Sequence, residues 1–129
     1  MQAQQVLKPF VDSPRLSAIK ENLQQCIGTE NYYQPFLGLK YTDGVKMLAD
    51  DAECHWLISD LGIAAKLEFS HIPFQLWKLR VKDKIGLLTM QEDTDAPILY
   101  EQKYEYTEFP EGEIELYVFD DIILLPSEY

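Results

Sequence analysis

Residues 74–82 read FQLWKLRVK, and residues 98–107 read ILYEQKYEYT. Both stretches alternate with a period of two, the repeat of a β-strand with one covered and one wetter face. In the first, Gln75, Trp77, Leu79 and Val81 point one way and Leu76, Lys78, Arg80 and Lys82 the other. In the second, Ile98, Tyr100, Gln102, Tyr104 and Tyr106 oppose Leu99, Glu101, Lys103, Glu105 and Thr107. Between them, Asp83-Lys84 reads as a turn, residues 86–91 as a strand, and Glu92 to Pro97 as a loop. Further on, Pro110-Glu111-Gly112 turns the chain into a strand over 113–119. Asp120-Asp121 is then a two-residue hairpin turn into Ile122–Leu125.

N-terminal to residue 74 the period is 3.6. Ser13-Pro14 is an N-cap followed by proline at the first helical position. Leu16, Ile19, Leu23 and Ile27 recur at helical spacing and Gly28 follows as a stop, which predicts a helix over 14–26. Residues 29–41, TENYYQPFLGLKY, hold Pro35 and Gly38 and read as a structured connection rather than a regular element. Thr42-Asp43-Gly44 opens a second helical region, with Val45, Leu48, Ala52 and Trp56 on one face and Leu57, Leu61 and Ala64 or Ala65 beside it. The polar run 50–53 is either the exposed side of one long helix or a break between two.

Helices first and strands afterwards predict an α+β fold. The economical arrangement is two N-terminal helical regions packed on one face of a four- to five-stranded antiparallel meander. The length, 129 residues, suits a single domain over 1–129, with residues 1–12 as a loosely attached lead-in. Lys78, Arg80 and Lys82 with Glu101 and Glu105 would give the open face both signs of charge, set for cross-strand ion pairs.

The formal charge is −11, and its layout is uneven. Residues 1–91 hold ten acids and ten bases, whereas residues 92–129 hold twelve acids and one base, Lys103. Direct binding of a nucleic-acid backbone is disfavoured, because that needs a basic face. The same argument disfavours an anionic membrane surface, and no window approaches the ~18–20 apolar residues of a membrane-spanning helix. No signal peptide is visible, and Cys26 and Cys54 lack zinc-ligand spacing. The expected compartment is the cytoplasm, with both thiols reduced, a disulfide between them being the alternative.

Two readings of the acidic half stand side by side. Its carboxylates, with Glu101, Glu105 and Glu115 as the central candidates, could attract a basic protein partner, in one version as a nucleic-acid mimic. The plainer reading is a solvated face that keeps the protein soluble. Tyr32 and Tyr33 are candidate interface anchors, tyrosine being favoured where a surface is part apolar and part wet. Self-association through an exposed C-terminal edge strand, giving a homo-oligomer, is a further reading.

Enzymatic chemistry has no motif behind it. There is no HExxH, no GxSxG and no phosphate-cradling glycine loop, so neither a catalytic residue nor a cofactor is predicted. The weak alternative is a metal or catalytic site at Asp51 and His55, four residues apart on one helical turn. Cys54, Asp60 and His71 are its possible additions. A surface ion pair explains the same spacing.

YTDGVKMLADDAECHWLISDL (41–61), FQLWKL (74–79) and FPEGEIELYVFDDIILLPSEY (109–129) resemble an uncharacterised domain-of-unknown-function family of small acidic bacterial proteins, cyanobacterial and mobile-element-associated. The likeness covers residues 29–129, and the LLPSEY ending is its most specific part. The resemblance implies no activity, cofactor or catalytic residue, and it mildly favours a role in protein interaction. The ending itself reads either as a recognition tail or as an edge strand stopped by Pro126, with Tyr129 packing back on the fold.

Overall fold

The computed structural model describes residues 11–36 and 38–129. Its elements run α1 (Pro14–Leu23), β1 (Tyr32–Phe36), β2 (Leu39–Thr42), α2 (Asp43–Asp51), α3 (His55–Leu67), β3 (Phe74–Lys82), β4 (Ile85–Gln91), β5 (Ile98–Tyr104), β6 (Gly112–Phe119) and β7 (Ile122–Leu124). A 3-10 turn, Pro126–Glu128, follows. The fold is α+β, with seven strands in the order β1-β2-β7-β6-β3-β4-β5.

The β3–β7 strands fall where the alternation puts them, except that β5 stops at Tyr104, three residues short of the alternating run 98–107. Each two-residue turn, Asp83-Lys84 and Asp120-Asp121, has both residues at positive φ (55° and 65°; 57° and 61°). Such turns match the right-handed twist of the strands they join. The helix-facing side of β3 is as the period requires: Gln75, Trp77, Leu79 and Val81 are buried. With Leu88, Met90, Ile114, Leu116 and Ile123 they pack against Leu16, Ile19, Val45, Leu48, Leu57 and Leu61 of the helices. Gln75 and Trp77 carry polar groups into this core and satisfy each other, Trp77 Nε1 donating to Gln75 Oε1 at 2.9 Å.

Four expectations need correction. The stretch 29–41 is not an irregular connection. It holds the β1–β2 hairpin, so the sheet has seven strands rather than four or five. Pro35 falls on an edge strand, in the irregular stretch of the β1–β2 pairing between Tyr33 and Phe36, a setting that tolerates proline. Nor is the sheet wholly antiparallel, since β2 runs parallel to β7, with Lys40 opposite Ile122 and Tyr41 opposite Ile123. The helical regions number three, because the second breaks at residues 52–54, where Glu53 sits at φ 54°. Helix α1 ends at Leu23, a turn earlier than the periodicity suggests.

Of the proposed lead-in, residues 1–10 lie outside the described residues. Asp12 is fastened: its carboxylate accepts from the Glu113 N–H (3.1 Å) and from Lys20 Nζ (2.7 Å). No helix among the described residues is long and apolar enough to cross a membrane.

Candidate functional site

Strand order decides what becomes of the acidic half. β3 lies between β6 and β4, so Lys78 and Arg80 are next to the carboxylates of β6 and a full strand away from those of β5. Lys78 Nζ is 3.7 Å from both Glu113 and Glu115, and Arg80 Nε is 3.4 Å from Glu113. Glu115, Lys78, Thr89 and Glu101 form one row across β6, β3, β4 and β5. Three inter-strand spacings put Glu101 about 14 Å from Glu115. The expected cross-strand pairs therefore form with β6 and not with Glu101 and Glu105. Both of these are exposed, and neither has an ion-pair partner among the described residues. Glu115 belongs to a neutralised strip, and Glu101 and Glu105 to an open acidic edge.

β5 is the outer strand on that side, hydrogen-bonded to β4 alone. Glu101 and Lys103 project to the open face, opposite Thr89 and Leu87. The intervening residues Tyr100 and Tyr104 project to the helix face, where Tyr100 meets Phe69 and Trp77, and Tyr104 meets Trp56 edge-on at 5.0 Å. Tyr104 donates its hydroxyl to Asp60 Oδ2 at 2.8 Å. Burial, and then the Asp60 carboxylate, push its phenol well above the usual range.

Trp56 and Asp60 are one turn apart on α3, so both face β5. Between them and the segment after β5 lies a cleft of ~690 Å³, whose lining includes Arg15, Glu53, Trp56, Asp60, Tyr104 and Glu108. Tyr106 donates to Glu108, and Lys84 Nζ stands 3.5 Å from the same carboxylate. These two neighbours hold the Glu108 carboxyl below the ordinary range. Arg15 is turned to the Asp51 carbonyl (3.3 Å). Glu53 and the Asp60 Oδ1 are left to accept from a visitor. Aromatic faces beside carboxylates suit a cationic group with an apolar stem.

The Asp51–His55 pair does not form. The break at 52–54 ends α2 before His55, and His55 Nε2 lies 2.8 Å from Asp50 Oδ1 instead. Asp50 also accepts from Lys46 at 2.8 Å, a surface arrangement. Asp60, on α3, lines the cleft toward β5, and His71 is exposed in the loop before β3. Among the described residues no three His, Cys, Asp or Glu side chains converge on a metal position.

Cys26 and Cys54 are both free. Cys54 is buried at the start of α3, and burial pushes its thiol up to about 12. Iodoacetamide at about pH 8 is therefore expected to label Cys26 and spare Cys54 until denaturant is added, as read by intact mass. Equal labelling of both in the folded protein would contradict this environment.

Tyr32 is exposed on the β1 edge. Tyr33 is committed internally: it stacks on Tyr41 at 5.5 Å and donates to Asp43 Oδ1 at 3.0 Å. Asp43 Oδ2 accepts from the N–H groups of Glu30 (3.0 Å) and Asn31 (3.2 Å), and those bonds, the Glu30 one first, lower its carboxyl pKa. A carboxyl depressed in the folded state stabilises it above the unfolded value, here 3.8, and loses that contribution as pH falls through the folded value. Wild type is thus expected to be more stable than Asp43→Asn at neutral pH, with the gap closing on acidification below 3.8. Urea unfolding of both across pH checks this, and a gap constant with pH would refute it.

The cleft was not legible in advance, because Trp56, Asp60 and Tyr104 meet only when α3 packs on β5. The one available signal was the helical spacing of Trp56 and Asp60.

A family model described as a family of unknown function, DUF6876, matches residues 17–129. The chain belongs to DUF6876. No curated protein and no solved structure matches it. The DUF6876 match begins inside α1 and runs to Tyr129, so it starts earlier than the resemblance over 29–129. Within the cleft it takes in Glu53, Trp56, Asp60, Tyr104 and Glu108 but not Arg15.

Proposed function

We propose that this DUF6876 chain is a cytoplasmic protein-interaction module whose acidic β5 edge engages a basic surface on a protein partner. One observation carries the reading: the cations of β3 stand against the carboxylates of β6, while Glu101 on β5 and Glu105, in the bend just after it, have no ion-pair partner among the described residues. The β4–β5 loop, which leads into β5, adds Glu92, Asp93 and Asp95. Charges left unneutralised along one edge steer a cationic partner and fix its orientation. Two free cysteines suit a reducing compartment.

The test compares two double variants of equal charge. Glu101→Lys/Glu105→Lys reverses the edge; Glu21→Lys/Glu30→Lys reverses two exposed acids, one on α1 and one in the segment before β1. Capture from a cell extract, washed at low and high salt, is expected to retain a basic protein at low salt only. That protein should be lost with the first variant and kept with the second. Identical capture by both would overturn the reading, and recovery of this chain alone would replace it with self-association.

A further inference from the structure

We infer that the partner docks as an extended basic segment, added to β5 as an eighth strand, with successive cationic side chains reaching Glu101 on the open face and the Trp56–Asp60–Tyr104 cleft on the helix face. This rests on the acidic-edge reading and deepens it by naming the form in which the partner binds.

Three features support it. First, β5 is seven residues long and pairs with β4 on one side only. Its other side offers a row of backbone donors and acceptors about 23 Å long. Second, the strand contains no proline, one of the common protections of an exposed edge, and Lys103 is its only cation. Third, acceptors stand on both faces. Glu101 is exposed on the open face, while Asp60 and Glu53 stand on the helix face, beside the aromatic walls of Trp56 and Tyr104.

A strand added beside β5 places residues i and i+1 on opposite faces. One cation therefore meets Glu101, and the next enters the cleft, where the stem of an arginine or lysine lies along Trp56 and its head reaches Asp60 Oδ1. Strand addition takes its affinity from main-chain hydrogen bonds and its specificity from alternate side chains. Charge complementarity selects a basic segment over an acidic or neutral one.

The probe is a synthetic seven-residue peptide with two consecutive arginines at its centre in a threonine and valine background, so that one cation faces each side of the added strand, titrated into the full chain at low salt. A second copy is N-methylated on alternate backbone nitrogens, which keeps every charge and removes the main-chain donors. Affinity is measured by calorimetry, and β5 amide protection by hydrogen exchange. The parent peptide is expected to bind and slow exchange in β5, with the N-methylated copy at least about tenfold weaker. Trp56→Leu should weaken the parent peptide about tenfold, as expected for loss of a cation–π contact. Because Trp56 is half-buried, a change in tryptophan emission on titrating the wild type serves as a second measure of cleft occupancy.

Equal affinity of the two peptides, or no protection in β5, would overturn strand addition and leave the acidic edge standing. Undiminished binding to Trp56→Leu with no emission change would overturn the cleft's part. Absence of any binding by the parent peptide would overturn both the inference and the reading beneath it.

Discussion

Gly112→Ala is expected to lower stability by about 4 kcal/mol, the sum of a left-handed backbone penalty and overpacking of a fixed neighbour. Gly112 opens β6 at φ 133°, a conformation that L side chains rarely adopt. A Cβ there would lie 2.6 Å from Leu16 Cδ2 and 2.8 Å from Asp12 Cα. Neither neighbour can give way cheaply. Leu16 is fully buried in the core, and Asp12 is tied by the Glu113 N–H and Lys20. The contact is what seats the start of α1 against β6, with Ser13 N–H donating to the Glu111 carbonyl at 2.8 Å. Urea unfolding should show a lowered midpoint at unchanged slope. Gly28→Ala is the control: nothing lies within 4 Å of its Cβ position, and a change within ~0.5 kcal/mol is expected. A loss below about 1 kcal/mol at Gly112 would show that the α1–β6 junction is looser than described.

Glu128→Ala is expected to cost about 3 kcal/mol, through three hydrogen bonds to one carboxylate. Glu128 Oε1 accepts from Thr42 Oγ1 (2.6 Å) and Leu125 N–H (2.9 Å), and Oε2 accepts from Gly44 N–H (3.1 Å). Thr42 is itself the N-cap of α2, its Oγ1 accepting from Val45 N–H at 3.3 Å. A negative group at this position also favours the positive end of the helix. The approach is close enough that a Cβ on Gly44 would fall 2.6 Å from Leu125 Cδ1, which is why a glycine stands at the first turn. Glu128→Gln should lose about half as much, because its oxygen can still accept from Thr42 and Leu125 while its NH₂ faces the Gly44 N–H and the charge is gone. Thermal or urea unfolding measures both variants. If either were as stable as wild type, the C-terminal turn would not anchor α2.

The same contacts decide between the two readings of the LLPSEY ending. Leu125 is in the core, Ser127 donates to the Cys26 carbonyl at 2.7 Å, and Tyr129 meets Phe74, Tyr117 and Phe119 at 5.3, 5.5 and 5.6 Å. The segment is packed on the fold at both ends, although β7, paired with β2 on one side and β6 on the other, is not the exposed edge strand expected for it and for self-association. Sequence inspection alone left this open, since Thr42 and Glu128 are 86 residues apart.

What the sequence determined by itself was the local part. Strands β3–β7, their two-residue turns and the first helix follow from side-chain period and turn chemistry, which act over a few neighbouring residues. The same holds for the concentration of charge in the last 38 residues, a matter of counting. Only the tertiary structure decided that β1 and β2 are strands, because a short hairpin broken by Pro35 gains its stability from pairing β2 with β7, some 80 residues away. It also decided which acids remain unneutralised. Lys78 and Arg80 could have served either β5 or β6, and the strand order, by setting β6 beside β3, gave them to Glu113 and Glu115. The acidic edge exists because Coulomb attraction between side chains acts over one strand spacing and fades over two.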